Sequence, residues 1–260
     1  MADLIAANIT VVTGAQTLVD NASLRLTSGE LIAIVGENGA GKSTLMRAMA
    51  GYIAYEGNCQ IDGTDIRELR PAARARQIAW LPQNVPLAWP IRVIDAVALG
   101  RFAHGGLPHR LTTADEIAVR RALSVCGLAH LTDRSTANLS GGELARVHIA
   151  RALAAETPLL LADEPVAALD PRYRLAIMDI FRKAADNGCG VMVILHDLGL
   201  AARFADRIIG LKDGKIIIDD CPEKAITPHN ILRLFGVEAR VENAAGWPNP
   251  VIIGPVAERD

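Results

Sequence analysis

Gly36-Glu37-Asn38-Gly39-Ala40-Gly41-Lys42-Ser43-Thr44 is the most informative stretch of the 260-residue chain. It fits the pattern G-x-x-x-x-G-K-[ST], comes directly after the apolar run Leu31–Val35, and precedes a segment of helical period at residues 45–50. The glycines of this pattern let the backbone curl, so that successive N–H groups and the start of the following helix face phosphate oxygens. A strand, a phosphate-binding loop and a helix are therefore predicted in that order. The alternative, an accidental glycine turn, does not explain these flanking segments.

The residue types in this loop suit a nucleotide bound together with a metal ion. We expect Lys42 to reach the β- and γ-phosphates and the Ser43 hydroxyl to bind Mg²⁺. The residues predicted to bind the nucleotide are Gly36, Asn38, Gly39, Gly41, Lys42, Ser43 and Thr44.

Short apolar runs rich in β-branched residues alternate with segments of helical period along much of the chain. This alternation is typical of an α/β fold, in which helices bury a parallel sheet on both faces. Four runs end at a glycine or polar residue: 31–35 before Gly36, 78–81 before Pro82 and Gln83, 159–162 before Asp163 and Glu164, and 191–195 before His196. Because open parallel sheets bind ligands beyond the carboxyl ends of their strands, these four ends are predicted to meet at one crevice.

Two adjacent carboxylates follow the run 159–162. If the extended backbone continued, Asp163 and Glu164 would project to opposite sides and could serve different tasks. We expect Asp163 to bind Mg²⁺ through water, and Glu164 to polarise the water that attacks the γ-phosphate. Taken alone, such a pair is usually a solvated acidic loop, and the phosphate loop upstream favours the catalytic interpretation.

Gln83 and His196 are the remaining polar groups at strand ends. The uncharged amide of Gln83 can hold a water or Mg²⁺, and His196 can hydrogen-bond a γ-phosphate oxygen. Either residue alone is more often structural, but the neighbouring strand ends favour a role in the chemistry. The predicted catalytic residues are Glu164, His196 and Gln83, and the predicted metal ligands are Ser43, Gln83 and Asp163.

The overall composition argues against several classes of protein. Lys and Arg number 27 against 29 Asp and Glu, a net charge of −2, so no nucleic-acid partner is expected. No apolar run approaches the roughly 18 residues of a membrane span, and the start lacks a signal-peptide pattern, so a cytoplasmic chain is predicted. The four cysteines, at positions 59, 126, 189 and 221, form no C-x-x-C pair and are expected to be small buried thiols.

The pattern changes at three places along the chain. Residues 92–155 show helical period without strand-like runs, which predicts a helical insertion; within it, the spacing from Thr113 to Glu116 predicts a capping box, and Gly127 a helix end. Residues 9–12 and 23–26 resemble antiparallel strands beside the core. Beyond about Asp220 we expect a short helix and then a tail rich in Pro and Gly at 246–250.

A second glycine turn, Leu139-Ser140-Gly141-Gly142-Glu143, precedes a long segment of helical period at 144–153. A plain N-terminal cap is one interpretation of it. Two consecutive glycines, however, leave a helix N-terminus free of side chains and open to an anion. Because the loop 36–44 already accounts for one nucleotide, this second surface indicates that another subunit's nucleotide docks here.

With these motifs in this order, the chain resembles the nucleotide-binding subunits of ABC transporters up to about Lys224. The resemblance rests on the loop 36–44, Gln83, the LSGGE stretch 139–143, Asp163-Glu164, the loop 168–170 and His196. It implies an α/β P-loop NTPase fold: a RecA-like core with an antiparallel β-subdomain and an inserted α-helical subdomain. The implied domains are an ABC ATPase domain at 1–224, with the helical insertion at about 92–155, and a short C-terminal extension at 225–260.

The resemblance also implies partners. Two subunits would form a head-to-tail homodimer around two ATP molecules, in which Ser140, Gly141 and Gly142 contact the opposite subunit's nucleotide and Asp170 carries communication across the dimer. ATP would hold the dimer together and hydrolysis would release it. A polytopic permease would dock on the helical insertion and on the segment after Gln83, and would connect the ATPase indirectly to a substrate-binding protein. The subunit would then lie peripherally at the cytoplasmic face of the inner membrane.

Two finer features concern the transported cargo and the choice of nucleotide base. Residues 81–90 and 97–105, the latter with the pattern V-x-x-G-R ending at Arg101, resemble the importer branch that serves iron(III)-siderophores, haem and cobalamin. Where many relatives have an aromatic residue that stacks on adenine, this chain has Thr13. Loss of that stack costs on the order of 1 kcal/mol, so we expect GTP to be tolerated beside ATP.

The alternative function is that of a soluble ATPase of the same superfamily, a nucleotide-dependent clamp or assembly factor without a permease. Such proteins often carry two cassettes in one chain or a coiled coil within the helical region, and the sequence indicates neither. A cassette that binds ATP without hydrolysing it is a third possibility, but each expected chemical residue is present. A transport ATPase is therefore predicted.

Overall fold

A computed structural model describes residues 2–83, 89–167, 169–244 and 246–255. The strands in these ranges are β1 (Asp3–Thr13), β2 (Gln16–Thr27), β3 (Leu31–Val35), β4 (Glu56–Ile61), β5 (Thr64–Asp65), β6 (Ile78–Leu81), β7 (Leu159–Ala162), β8 (Gly190–Ile194), β9 (Arg207–Lys212), β10 (Lys215–Asp220), β11 (Val237–Ala244) and β12 (Trp247–Pro255). The α-helices are α1 (Lys42–Met49), α2 (Pro71–Ala75), α3 (Val93–Ala98), α4 (Thr113–Val125), α5 (Gly141–Ala154), α6 (Pro171–Asp186), α7 (Leu198–Phe204), α8 (Pro222–Ala225) and α9 (Pro228–Phe235).

The central sheet has the strand order β10-β9-β3-β8-β7-β6, and all its neighbouring pairs are parallel except β9 and β10. Every residue of β3, β7 and β8 is buried. Alternate side chains of β3 enter different cores: Ala33 packs with the helices on one face, and Ile32 packs with α1 and the second sheet on the other. This two-sided burial confirms the predicted parallel α/β sheet.

The second sheet is antiparallel, with the order β2-β1-β4-β5. The predicted strand-like runs at 9–12 and 23–26 lie within β1 and β2. Inward side chains such as Leu4 and Leu26 form one core with α1 and the central sheet. The antiparallel β-subdomain is therefore present, and it closes one side of the loop that joins β3 to α1.

The helical insertion contains α3, the 3₁₀ segment Leu99–His104, α4 and α5. The predicted capping box exists but lies one residue earlier: Thr112 is the N-cap of α4 and Asp115 its reciprocal partner. The prediction of Thr113 was wrong because Thr112 and Thr113 each have an acidic residue three positions on, so the spacing alone fits both. Helix α4 ends at its C-cap Cys126, and Gly127 follows in the left-handed conformation as expected.

The C-terminal region contains more regular structure than its composition predicts. After α9, Gly236 turns the chain with φ +62°, and β11 pairs with β12 in an antiparallel hairpin. The Pro- and Gly-rich tail at 246–250 thus belongs largely to a strand. Two prolines fit there because each strand of a two-stranded sheet has one edge that needs no N–H donor: Pro248 lies opposite Asn243, and Pro250 opposite Val241.

Two smaller predictions concern membrane spans and cysteines. Across the described ranges, no helix combines the length and apolar character that a membrane crossing needs. Cys59 and Cys126 are buried, and burial raises the pKa of each thiol to about 12, whereas Cys189 and Cys221 are only half-buried. The expectation of buried thiols thus holds for two of the four.

Candidate nucleotide-binding site

The loop 36–44 leaves the carboxyl end of β3 and enters α1 as predicted. Gly36 and Gly41 have φ +149° and +98°, in the region that favours glycine. A Cβ at Gly36 would overlap the Leu211 carbonyl oxygen, and a Cβ at Gly41 would overlap that of Leu18. The β2 and β9 backbones thus press against the loop from two sides, and only glycine fits at these two positions.

Lys42 is 5% exposed and lies inside the curve of the loop. Its Nζ donates hydrogen bonds to the carbonyl oxygens of Gly36, at 2.9 Å, and Glu37, at 2.8 Å. Desolvation by burial lowers the pKa of the ammonium, an effect that the nearby charges of Glu164, Asp163 and Glu37 oppose. A phosphate chain in the loop would supply the negative charge that this buried cation favours.

Ser43 and Asp163 form the part of the site that suits a metal ion. The Ser43 hydroxyl donates to Asp163 Oδ1 at 2.8 Å, and the Asp163 residue is fully buried. Within the described ranges, the other oxygen, Oδ2, is a buried atom without a hydrogen-bond partner. Desolvation raises the pKa of this carboxyl, while the bond from Ser43 lowers it. A hydroxyl beside a carboxylate with a free oxygen fits Mg²⁺, which takes oxygen ligands and keeps much of its water.

The Glu164 carboxylate lies between Gln83 and His196. Its Oε2 accepts a hydrogen bond from Gln83 Nε2 at 2.6 Å, and its Oε1 lies 2.7 Å from His196 Nε2. The Glu164 side chain is 13% exposed, against 42% for His196. The carboxyl ends of β6, β7 and the region after β8 therefore do meet at one point, as the sequence predicts.

The two carboxylates point to different partners, but not because an extended backbone continues through them. Glu164 has φ +50°, in the left-handed region, so the strand does not continue through the pair. The turn, and not strand pleating, directs Asp163 toward Ser43 and Glu164 toward Gln83 and His196. A non-glycine residue in this conformation is uncommon and occurs often at functional sites.

Most of these groups line one cleft of about 440 Å³, and Asp163 lies buried behind Ser43. Of the predicted loop residues, Gly36 is the one that does not line it; the cleft is bounded by Asn38, Gly39, Gly41, Lys42, Ser43, Thr44, Gln83, Glu164, His196 and also Leu18. Leu18 was not predicted, because an apolar residue within β2 gives no sign of a ligand. Thr13, the last residue of β1, is exposed and outside the cleft lining.

The second glycine turn does not line this cleft. Ser140 is exposed and is the N-cap of α5, and its hydroxyl accepts from the backbone N–H of Glu143, whose carboxylate accepts from the Ser140 N–H at 2.8 Å. The plain-cap interpretation is thus structurally correct, and it leaves the surface at Gly141 open. The S-x-x-E spacing could have revealed this reciprocal bond to Glu143.

Asp170 lies at the start of α6, also outside the cleft lining. It is exposed, and its side chain makes no capping hydrogen bond. Its predicted neighbour Ala168 and the segment 84–88 after Gln83 lie outside the described residues. Among the described residues, the Asp170 carboxylate thus does not act as a cap of α6.

Comparisons with known proteins agree with this geometry. The family model described as "ABC transporter" matches residues 19–167. The hemin import ATP-binding protein HmuV of Pseudomonas fluorescens (strain Pf0-1) is 38% identical over 253 residues, which cover 95% of this chain and 97% of the relative. The protein of the same name from Deinococcus radiodurans is also 38% identical, over 91% of each chain.

Solved structures show the same fold. An ADP-bound ATP-binding cassette of an ABC transporter matches with a TM-score of 0.76 and 26% identity, over 86% of this chain and 92% of that one. A dimeric cassette in a post-hydrolysis state with ADP and phosphate matches with a TM-score of 0.72 and 29% identity, over 85% and 98%. The chain therefore belongs to the ABC transporter family and is one of its ATP-binding ATPase subunits.

Proposed function

We propose that this ATPase hydrolyses ATP with Mg²⁺ in a head-to-tail homodimer and thereby energises a membrane importer for hemin or a closely related iron chelate. The observation that carries the chemistry is the Glu164 carboxylate, held between Gln83 and His196 at the edge of the phosphate loop. The cargo rests on the relatives named hemin import proteins.

Glu164 is the proposed general base. Its carboxylate can accept a proton from, or orient, a water placed against the γ-phosphate. Gln83 and His196 each hold one of its oxygens, so the carboxylate has little freedom to turn away. Once ATP is bound, the Nε2–H of His196 can turn from Glu164 to a γ-phosphate oxygen while Gln83 keeps its bond to the carboxylate. Lys42 and the loop N–H groups can balance the charge that builds up in the transition state.

Mg²⁺ is the proposed metal cofactor, with Ser43 and Asp163 as its protein-side ligands and Gln83 nearby. When bound, it neutralises the negative charge of the β- and γ-phosphates. Across the described ranges, no group of three or more His, Cys, Asp or Glu could hold a metal. A site of few protein ligands that is completed by substrate phosphates is the usual arrangement for this ion.

A second copy of the chain is the proposed partner at the glycine turn 140–142. Ser140 and Gly141 are exposed at the start of α5 and face no part of their own cleft. A Cβ at Gly141 would have no heavy atom within 4 Å, so a phosphate could approach the helix N-terminus closely. The exposed Asp170 carboxylate, which makes no capping hydrogen bond, is proposed to contact the same partner.

A permease is the proposed partner at the groove between the helical insertion and the central sheet. This groove has a volume of about 490 Å³, and its lining includes Tyr52, Trp80, Leu99 and Phe102. Tyr52 is 60% exposed and Phe102 68%, an amount of exposed aromatic surface that favours a protein partner. With a permease bound there, the subunit would lie peripherally at the cytoplasmic face of the inner membrane, and a substrate-binding protein would act from the other side.

The soluble-clamp alternative is not favoured. The two relatives described above are named import proteins, and each match covers at least nine-tenths of this chain and of the relative. Among the three cargo classes expected from the sequence, their names favour haem over iron(III)-siderophores and cobalamin.

The chemistry is tested by Glu164→Gln, which keeps the shape and removes the charged base. We expect ATP affinity to remain within about threefold, ATP turnover to fall by about 10²–10³-fold, and an ATP-dependent dimer to accumulate. Size-exclusion chromatography and phosphate release measure these effects. Asp179→Asn, at a surface position of α6 outside the cleft, is the matched control and should leave turnover unchanged. Near-normal turnover in Glu164→Gln would exclude Glu164 as the base.

The cargo is tested separately, with the permease produced beside this subunit and reconstituted in liposomes. Hemin, an iron(III)-siderophore and cobalamin are supplied in turn, and ATP-dependent uptake is measured with wild type and with Glu164→Gln. Uptake of hemin alone, lost in the variant, is the expected result. Uptake of another chelate would move the cargo assignment and leave the ATPase assignment intact.

A further inference from the structure

Helix α5 connects the two surfaces at which partners are proposed. Its first turn carries the glycine pair next to Ser140, and its last turn contributes Arg151 and Ala152 to the aromatic groove. A 14-residue helix is about 20 Å long, so its ends are too far apart to share direct contacts. The 3₁₀ segment Leu99–His104, which supplies Leu99 and Phe102 to the groove, packs beside the second end.

Gly100 brings this segment into backbone contact with α5. A Cβ at Gly100 would overlap the carbonyl oxygen of Arg151 and would lie 3.2 Å from the Cβ of Ala154. The close approach places the next residue, Arg101, against the end of α5. The glycine therefore has a packing role although its own φ is not positive.

Arg101 joins three elements while it is only 6% exposed. Its Nε donates to Asp115 Oδ1 of α4 at 2.8 Å, and its Nη1 donates to the Ala154 carbonyl of α5 at 2.9 Å and to Glu156 Oε2 at 3.1 Å. The guanidinium and a hydrogen bond from Thr112 lower the pKa of Asp115 to about 2, which favours the charged carboxylate in this ion pair. The planar guanidinium can make these bonds together, which a lysine ammonium cannot match.

We propose that Arg101 is a positioning residue that makes the 3₁₀ segment, the start of α4 and the end of α5 move as one body, so that a partner in the groove and a nucleotide at Ser140 influence each other. This inference rests on the proposed dimer and permease surfaces. It assigns a task to the V-x-x-G-R pattern, which the nucleotide chemistry does not use.

A coupling of this kind is reciprocal, because each site must change the other's free energy by the same amount. Formation of the ATP dimer should therefore make the residues of the groove open less often, even without a permease. This allows a test on the purified subunit, in which hydrogen exchange of residues 99–104 is followed by mass spectrometry with and without ATP. The Glu164→Gln background holds the dimer together during the measurement.

Three variants are compared in that background. Arg101→Lys keeps the positive charge beside Asp115 but loses the planar guanidinium that bonds to α4 and α5 together. Glu156→Ala removes one of the acceptors of Arg101. Because the Glu156 side chain is half-exposed, this variant should fold even if Arg101→Lys does not. Arg120→Lys is the control, because it makes the same substitution in the exposed Arg120–Glu116 pair on α4.

In the background alone and in the Arg120→Lys control, we expect ATP to slow exchange at 99–104 at least threefold. In Arg101→Lys, we expect less than half of that slowing at equal dimer content, and in Glu156→Ala an intermediate loss.

A purely structural role of Arg101 predicts a different result: exchange would be faster both with and without ATP, and the ratio of the two rates would not change. That result would overturn the inference. So would a dimer that forms while exchange at 99–104 in the background stays constant. No ATP-dependent dimer at all would contradict the proposed function, and the inference with it.

Discussion

The two glycine-rich helix starts of this chain, at Gly41 before α1 and at Gly141 in α5, differ in what surrounds them. At Gly41 the β2 backbone leaves no room for a Cβ, and next to it Lys42 is 5% exposed. At Gly141 a Cβ would meet no heavy atom within 4 Å, and the neighbouring Ser140 is exposed. A helix start of this kind favours an anion, and among the described residues the first start is enclosed by its own chain whereas the second is open.

Under the proposed function, this difference separates a site that one subunit completes from a surface that acts only with a second subunit. Substitutions at the enclosed start should affect folding and ATP binding by the isolated subunit. Substitutions at the open start should leave both intact and reduce only the turnover that depends on the dimer. Four changes test this separation.

Gly41→Ala should have the largest effect. The residue has φ +98°, and an added Cβ would overlap the Leu18 carbonyl oxygen, so both backbone strain and a clash with backbone oppose the change. We expect a loss of about 2–4 kcal/mol in the free energy of unfolding and no measurable ATP binding, from urea denaturation and isothermal titration calorimetry. An ATP affinity close to wild type would show that the loop tolerates a side chain and that the enclosure is not as tight as described.

Lys42→Ala should separate binding from folding at the same helix start. Removal of the charge-assisted phosphate contact should cost about 2–3 kcal/mol of binding energy, a roughly 30- to 150-fold weaker ATP affinity. Burial lowers the Lys42 pKa, so the desolvation of the ammonium offsets much of what its two hydrogen bonds to carbonyl oxygens contribute, and its removal should leave the melting temperature nearly unchanged. Calorimetry and thermal denaturation measure the two. A variant that melts several degrees lower while it still binds ATP would show that Lys42 supports folding and not phosphate binding.

Gly141→Ala is the matched change at the open start. Its backbone φ is not in the left-handed region and no atom opposes the methyl group, so stability should stay within about 0.5 kcal/mol of wild type. ATP binding by the monomer should not change, but the methyl group would stand between α5 and the partner's phosphate. We expect turnover to fall at least tenfold and its dependence on subunit concentration to disappear. Ser140→Ala is less clean, because it also removes the hydroxyl of the capping box.

Local patterns predicted the phosphate loop and the four central strands β3, β6, β7 and β8 well, because the information for them lies within a few residues. The run 31–35 followed by the glycine loop is such a case. The apolar residues of the run indicate burial on both faces, and the glycines indicate a backbone that other residues rarely adopt, such as φ +98° at Gly41. Neighbouring strand ends also predicted correctly that Gln83, Glu164 and His196 would meet, because parallel strands bring their carboxyl ends to one edge.

Other features depend on partners far along the chain and gave no local signal. Arg101 bonds to the carbonyl of Ala154, 53 residues away, and nothing near Arg101 indicates that acceptor. The β12 strand was missed because its prolines normally mark turns, and only pairing with β11 makes them compatible with a strand. The left-handed turn at Glu164 was missed because residue type rarely predicts this conformation outside Gly, Asn and Asp.

Thr13→Tyr should have the smallest effect of the four, and it tests the edge of the enclosed site. Thr13 ends β1 in an exposed position, and the cleft lining includes Leu18 as its apolar contribution, so the wild-type site offers little surface to a base. We expect wild type to use ATP and GTP with kcat/KM values within about threefold, and the tyrosine variant to favour ATP by a further ~5-fold, since stacking contributes about 1 kcal/mol. Thr17→Tyr, on the facing strand opposite Val12, adds the same ring at another exposed position of the hairpin and should leave the ratio unchanged. A strong ATP preference in the wild type would mean that another group contacts the base, and the boundary of the enclosed site would then extend beyond Leu18.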